Sequence, residues 1–180
     1  MSPGPALADR LADLRRTFDQ SFAAPPPAPA PQQQDLLLVR VAGAPYAMRL
    51  AQIAGVFADQ PVAPLPGPVA ELLGVAAFRG TLVPVYDLAA LLGHPPATAP
   101  RWLVLAGTGS TLALAFDAVD GHRRIAATGV AAAAGSGHVS GVAHLDAGVR
   151  PILNLPAVAA EIAARAANHR TDRETAHGTS

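Results

Sequence analysis

The chain has 180 residues, balances thirteen basic residues, all of them Arg, against thirteen acidic ones, and contains no Cys. A formal charge of zero removes any electrostatic ground for expecting nucleic acid or an anionic membrane as partner. The missing Cys excludes disulfides, thiolate metal sites and Cys nucleophiles. Apolar residues make up 51% of the chain, but much of that is Ala and only 4% is aromatic. The predicted core therefore rests mainly on Val, Leu and Ile. No apolar run nears the roughly 18 to 20 residues a membrane-crossing helix needs. Asp9, Arg10, Asp13, Arg15 and Arg16 interrupt any secretory pattern, so the cytoplasm is the expected compartment.

Residues 5–23 read as an amphipathic helix. Leu7, Leu11, Leu14, Phe18 and Phe22 recur every three or four residues and share one face, with charges on the others. The proline-rich stretch 24–34 follows and can be neither helix nor inner strand. A helix isolated in this way either packs on its own domain or docks on another protein through Leu11, Leu14, Phe18 and Phe22.

Strand signals begin at Asp35. Leu36–Val41 is a short apolar run, Ala44-Pro45 marks a turn, and Tyr46–Leu50 and Ile53–Phe57 follow. Pro61 to Pro68 reads as a loop or extended edge, and Val69 to Gly74 as a short helical turn. Val75–Phe78 and Thr81–Tyr86, joined by Arg79-Gly80, form a predicted hairpin. Asp87 is an N-cap for a helix over Leu88–Leu92, stopped by Gly93 and Pro95. Further strands are predicted over Trp102–Ala106, Leu112–Phe116 and Gly121–Ile125. Asp120-Gly121 reads as turn chemistry, and residues 129–138 as an Ala- and Gly-rich loop. Val139–Asp146 and Val149–Asn154 form a second predicted hairpin. A helix over Leu155–Ala167 and a polar, disordered tail over 168–180 complete the chain.

The two halves match. The offset that carries Gly74-Val75-Ala76 onto Gly141-Val142-Ala143 also carries Pro84 onto Pro151, Val85 onto Ile152, Asp87 onto Asn154 and Leu88 onto Leu155. An offset one residue shorter sets Tyr46–Leu50 on Leu112–Phe116 and Gly55 on Gly121. The matched positions are structural punctuation, which points to duplication and to two small β subdomains meeting at a seam. Many short strands with closely spaced Gly and Pro argue for barrels or a sandwich rather than a βαβ sheet. Pro84 and Pro151 belong at edges or bulges.

Catalytic constellations are not evident. His94, His122, His138, His144, His169 and His177 show no metal-ligand spacing and read as solvated surface. There is no Gly-x-Ser-x-Gly elbow, and Gly107-Thr108-Gly109-Ser110 lacks the residues of a phosphate loop. Neither a cofactor nor a metal is expected. Arg79 stands out as the one charge between Glu71 and Asp87, at a hairpin turn. Its guanidinium can fork onto a partner's carboxylate or onto carbonyls, or pin a nearby loop of its own chain.

Residues 73–88, Leu-Gly-Val-Ala-Ala-Phe-Arg-Gly-Thr-Leu-Val-Pro-Val-Tyr-Asp-Leu, resemble the signature of the CheW family of chemotaxis coupling proteins. Tyr46 to Val56, Leu65-Pro66-Gly67 and Phe116-Asp117-Ala118-Val119 extend the resemblance over roughly residues 35–165. It implies a mainly β fold of two intertwined SH3-like barrels, with short helices, over 35–167. It implies a non-enzymatic adaptor that couples methyl-accepting chemoreceptors to a CheA-type histidine kinase, or a CheW-like scaffold of a pilus-motility or other chemosensory pathway. The implied partners are the chemoreceptor cytoplasmic tip, held in a groove between the barrels, and the kinase regulatory domain. Arg79 carries over as the receptor-coupling arginine, with Ile53 and Val56 as apolar groove positions. The expected location is the cytoplasm, at membrane-associated receptor arrays, without membrane insertion. Many family members have Asn-Leu where this chain has Ala77-Phe78, and an acidic residue at Gly55; the N-terminal helix and spacer are extensions.

Overall fold

The computed structural model describes residues 32–66, 69–96, 100–107, 112–133 and 137–177, with side chains to Ala167. The chain divides into units at 1–32 and 33–180. The expected N-terminal helix, with Leu11, Leu14, Phe18 and Phe22, and most of its spacer lie outside the described residues.

The second unit is mainly β. Its strands are β1 (Gln33–Val41), β2 (Ala44–Arg49), β3 (Ile53–Ala58), β4 (Leu72–Phe78), β5 (Thr81–Asp87), β6 (Trp102–Ala106), β7 (Ala113–Phe116), β8 (Ala118–Ala126), β9 (Val130–Ala132), β10 (Val139–Leu145) and β11 (Gly148–Leu153). Its helices are α1 (Leu88–Leu91) and α2 (Leu155–His177). The strands form two sheets, ordered β8-β1-β2-β11-β10-β9 and β3-β6-β7-β5-β4. An isolated bridge from Ala63 to Val75 continues the second sheet past β4, as β9 continues the first past β10.

Each sheet mixes the two halves of the sequence. The first pairs β1 and β2 with the late strands β8, β10 and β11. The second pairs β6 and β7 with the early strands β3, β4 and β5. The exchange runs through two short parallel pairings, Ile152–Leu153 beside Ala47–Met48 and Val85–Asp87 beside Ala113–Ala115. The duplication is thus borne out in the topology, but a sequence half is not a subdomain.

Repeated local features confirm the match. Register shifts fall between Ile53 and Gly55 and, on the equivalent pair, between Leu38 and Val39; others fall between Leu72 and Gly74 and between Val139 and Gly141. A Cβ on Gly74 would lie 2.0 Å from the Ala63 oxygen, and one on Gly141 2.7 Å from that of Ala131. Both glycines admit a neighbouring backbone that any side chain would displace. Pro84 and Pro151 each immediately precede the residue where parallel pairing begins, so neither occupies a ladder position needing an N–H on that side.

β1 explains how this little apolar area forms three cores. Alternate residues of a strand point to opposite faces. Leu36 and Leu38 join Ala47, Ala143 and Ile152 inside the first sheet's own core. Leu37, Val39 and Val41 join a central core with Met48, Val104, Leu114, Phe116, Leu153, Leu155, Val158 and Ile162. The second sheet encloses Ala76, Phe78, Val83, Val85, Leu103, Ala113 and Ala115. Alanine, expected to contribute little, fills the narrow sheet interiors where larger side chains would overpack.

Asp87 caps α1 as expected, accepting from the N–H groups of Ala89 at 2.8 Å and Ala90 at 3.5 Å. Asn154 does the same for α2 through Ala157 N–H at 3.2 Å. Several local expectations need correction. The first turn is Ala42-Gly43, both at positive φ, and Ala44 and Pro45 already belong to β2. The stretch 69–74 is a turn leading into β4 rather than a helical turn. Asp120-Gly121 lies within β8, with Asp120 as the bulged residue of that strand. The expected loop at 129–138 contains β9. α2 runs on to His177, through most of the segment expected to be disordered. No helix among the described residues is long and apolar enough to cross a membrane.

Candidate functional site

The hairpin of β4 and β5 closes through Arg79 and Gly80, with φ of 49° and 83°. A two-residue turn with both central residues left-handed matches the twist of the strands it joins, and it favours Asn or Gly in the first position. Arg79 holds that position instead. Its side chain is exposed, and among the described residues it makes no hydrogen bond or ion pair. Among the described residues this guanidinium pins nothing.

Beneath it lies an open groove of ≈ 460 Å3, lined by Ala54, Gly55, Val56, Phe57, Phe78, Arg79, Thr81, Val83 and Leu105. Phe57 and Phe78 meet with ring centroids 4.7 Å apart. Gly55 makes room for that pair, because a Cβ there would come within 2.7 Å of the Phe57 ring. The floor is apolar and Arg79 supplies the only charge of the lining. Such a surface suits an apolar segment carrying one carboxylate.

Of the three expected site residues, Arg79 and Val56 share this groove. Ile53 does not line it and packs against the central core. The space between the two sheets is filled by the central core, and the groove belongs to the second sheet alone, on β3, β4, β5 and β6. Sequence reasoning missed Phe57, Phe78, Val83 and Leu105. Phe78, directly before Arg79-Gly80, and Val83 share a face of their hairpin, a period-two signal present in the sequence.

A second groove, of ≈ 500 Å3, opens on the first sheet. Its lining includes Leu38, Arg40, Asp120, Arg123, Arg124, Leu145, Asp146 and Arg150. The offset relating Gly74 to Gly141 carries Phe78, Arg79 and Val83 onto Leu145, Asp146 and Arg150, and the shorter one relating Gly55 to Gly121 carries Phe57 onto Arg123. The two grooves are therefore repeats of one site with opposite chemistry. In the second, Asp120 receives Arg150 at 2.7 Å and Arg40 at 3.0 Å, and these guanidiniums hold its carboxyl below the usual range. Asp35 receives Arg124 at 2.9 Å and His122 at 2.8 Å and is lowered in the same way.

The histidines expected at the solvated surface are partly committed to structure. His94 bonds the Tyr46 hydroxyl at 2.8 Å, His122 bonds Asp35, and His138 bonds Glu161 of α2. Arg165 of α2 contacts Glu71 at 2.6 Å, and Glu71 and His138 are equivalent positions of the repeat. Among the described residues no three His, Asp or Glu side chains cluster as a metal site.

Two mixed sheets with exchanged strands, each carrying a groove, define a duplicated β fold. The model of the CheW-like domain matches residues 35–163, and the chain belongs to that family. Among solved structures it is similar to the scaffolding protein TtCheW from Thermoanaerobacter tengcongensis. The TM-score is 0.62 at 18% identity, over 68% of this chain and 90% of that one. No curated protein sequence matches the chain.

Proposed function

We propose that this chain is a non-enzymatic adaptor that couples methyl-accepting chemoreceptors to a CheA-type histidine kinase. The observation that carries the reading is Arg79: exposed, left-handed and uncommitted above an apolar groove. A left-handed non-glycine residue costs on the order of 1–2 kcal/mol. Such strain, with no hydrogen bond or ion pair among the described residues to offset it, supports a role outside the fold. The receptor's helical tip would lay apolar side chains on Val56, Phe57 and Phe78 and direct a carboxylate to Arg79. Ile53 stands apart from this surface, on the central core. The kinase regulatory domain would take a separate face, and the complex would sit in the cytoplasm at receptor arrays. The helix over residues 5–23 adds a docking element through Leu11, Leu14, Phe18 and Phe22.

Pull-down of the full chain with a receptor cytoplasmic fragment and with the kinase regulatory domain tests this. Arg79→Ala should lose the receptor and retain the kinase domain. Losing one partner of a desolvated charge pair costs roughly 2–5 kcal/mol. Unchanged receptor capture would remove Arg79 from the site. A deletion of residues 1–31 that leaves every complex intact would reject the docking helix.

A further inference from the structure

We infer that the arginine-lined groove of the first sheet is a second docking site, and that it takes an acidic segment of a partner protein. The chain is neutral overall, yet this groove gathers Arg40, Arg123, Arg124 and Arg150 against Asp120 and Asp146. Carboxylates are in short supply here, since Asp120 is shared by two guanidiniums and Asp35 by a guanidinium and an imidazole. Arg123 is left over. Its only bond among the described residues runs to the carbonyl of the preceding His122, at 2.9 Å.

The fold does not require this charge. The positions equivalent to Arg123 and Arg150 in the other groove carry Phe57 and Val83, and the same strand pairings form around them. A repeat that closes equally well on apolar residues here carries two arginines at a concave surface. Arginine suits carboxylates because its planar fork can meet them in pairs. The aspartates favour a peptide over a polyphosphate chain. They repel closely spaced phosphates but can accept N–H groups from a peptide backbone.

The site is independent of the Arg79 groove, so either reading can fail alone. The test is fluorescence anisotropy of a labelled octaglutamate peptide against the full chain at low salt. Binding should appear, weaken about fivefold in Arg123→Ala, as for one lost surface ion pair, and vanish near 0.5 M salt, where screening acts over only about 4 Å. Arg101→Ala, which removes an exposed arginine paired with Asp59 elsewhere, should change nothing. Equal losses in the Arg123 and Arg101 variants would mean unspecific attraction and overturn the proposal. Tighter binding of a single-stranded oligonucleotide than of octaglutamate would overturn it in favour of a phosphate polymer. Amide shifts in an NMR titration should map to β8 and the β10–β11 hairpin; shifts confined to the Arg79 groove would also reject it.

Discussion

Arg79→Asn separates the demands of the fold from those of the site. At φ 49° the arginine backbone occupies a region that disfavours side chains, and Gly80 beside it is at 83°. Asparagine tolerates this conformation far better and is the commonest residue in the first position of such a turn. The Arg79 side chain makes no hydrogen bond or ion pair among the described residues that its removal would break. Part of the 1–2 kcal/mol penalty is therefore recovered, about 0.5–1 kcal/mol. For a domain of this size that raises the thermal midpoint by about 2–4 °C. Thermal and urea melts followed by circular dichroism measure the gain. The same variant should lose receptor binding by at least about thirtyfold, the lower end of the penalty for an unpaired buried charge. A variant less stable than the parent by about 1 kcal/mol would show that the guanidinium braces the hairpin. The argument from strain would then fail even if binding were lost.

Three further outcomes follow from the geometry. Gly74→Ala should prevent folding or destabilise by more than about 4 kcal/mol, because its Cβ would meet a backbone oxygen at 2.0 Å and its φ is +150°. Gly141→Ala, at 2.7 Å, should be the milder of the two in urea melts. Asp87→Ala should cost about 1–2 kcal/mol and Asn154→Ala about 1 kcal/mol, since Asp87 is buried and accepts two N–H groups where Asn154 accepts one. Acid should destabilise the domain. Arg150 and Arg40 lower the carboxyl of Asp120, so its contribution is complete above the ordinary carboxylate value and is lost as pH falls through the lowered one. Asp120→Asn should flatten the urea midpoint between pH 5 and about 3, and an unchanged slope would refute that assignment.

Much of this protein was legible in residue order. Apolar runs placed most strands, Asp87 and Asn154 announced the helices they cap, and Arg79-Gly80 marked its hairpin. These are local signals, carried by residues within a turn or two of one another. The repeat offset was legible too, because Gly74 and Gly141 meet the same constraint: a neighbouring backbone too close for a side chain. Asp120-Gly121 misled, since a bulge and a hairpin turn both favour the same residue types.

What the order of residues determined, then, was the set of elements and their repetition. The tertiary structure alone decided how they combine. Alternation along β1 marks Leu36 to Val39 as buried on both faces, but not which core each face enters. Nor can it show that β1 and β2 pair with strands of the other half. That choice depends on hydrogen bonding between segments far apart in the chain, whose partners have interchangeable local chemistry. The same exchange brings Arg40 of β1 to Asp120 of β8 and Arg150 of β11. The charged groove exists only because the halves are interwoven.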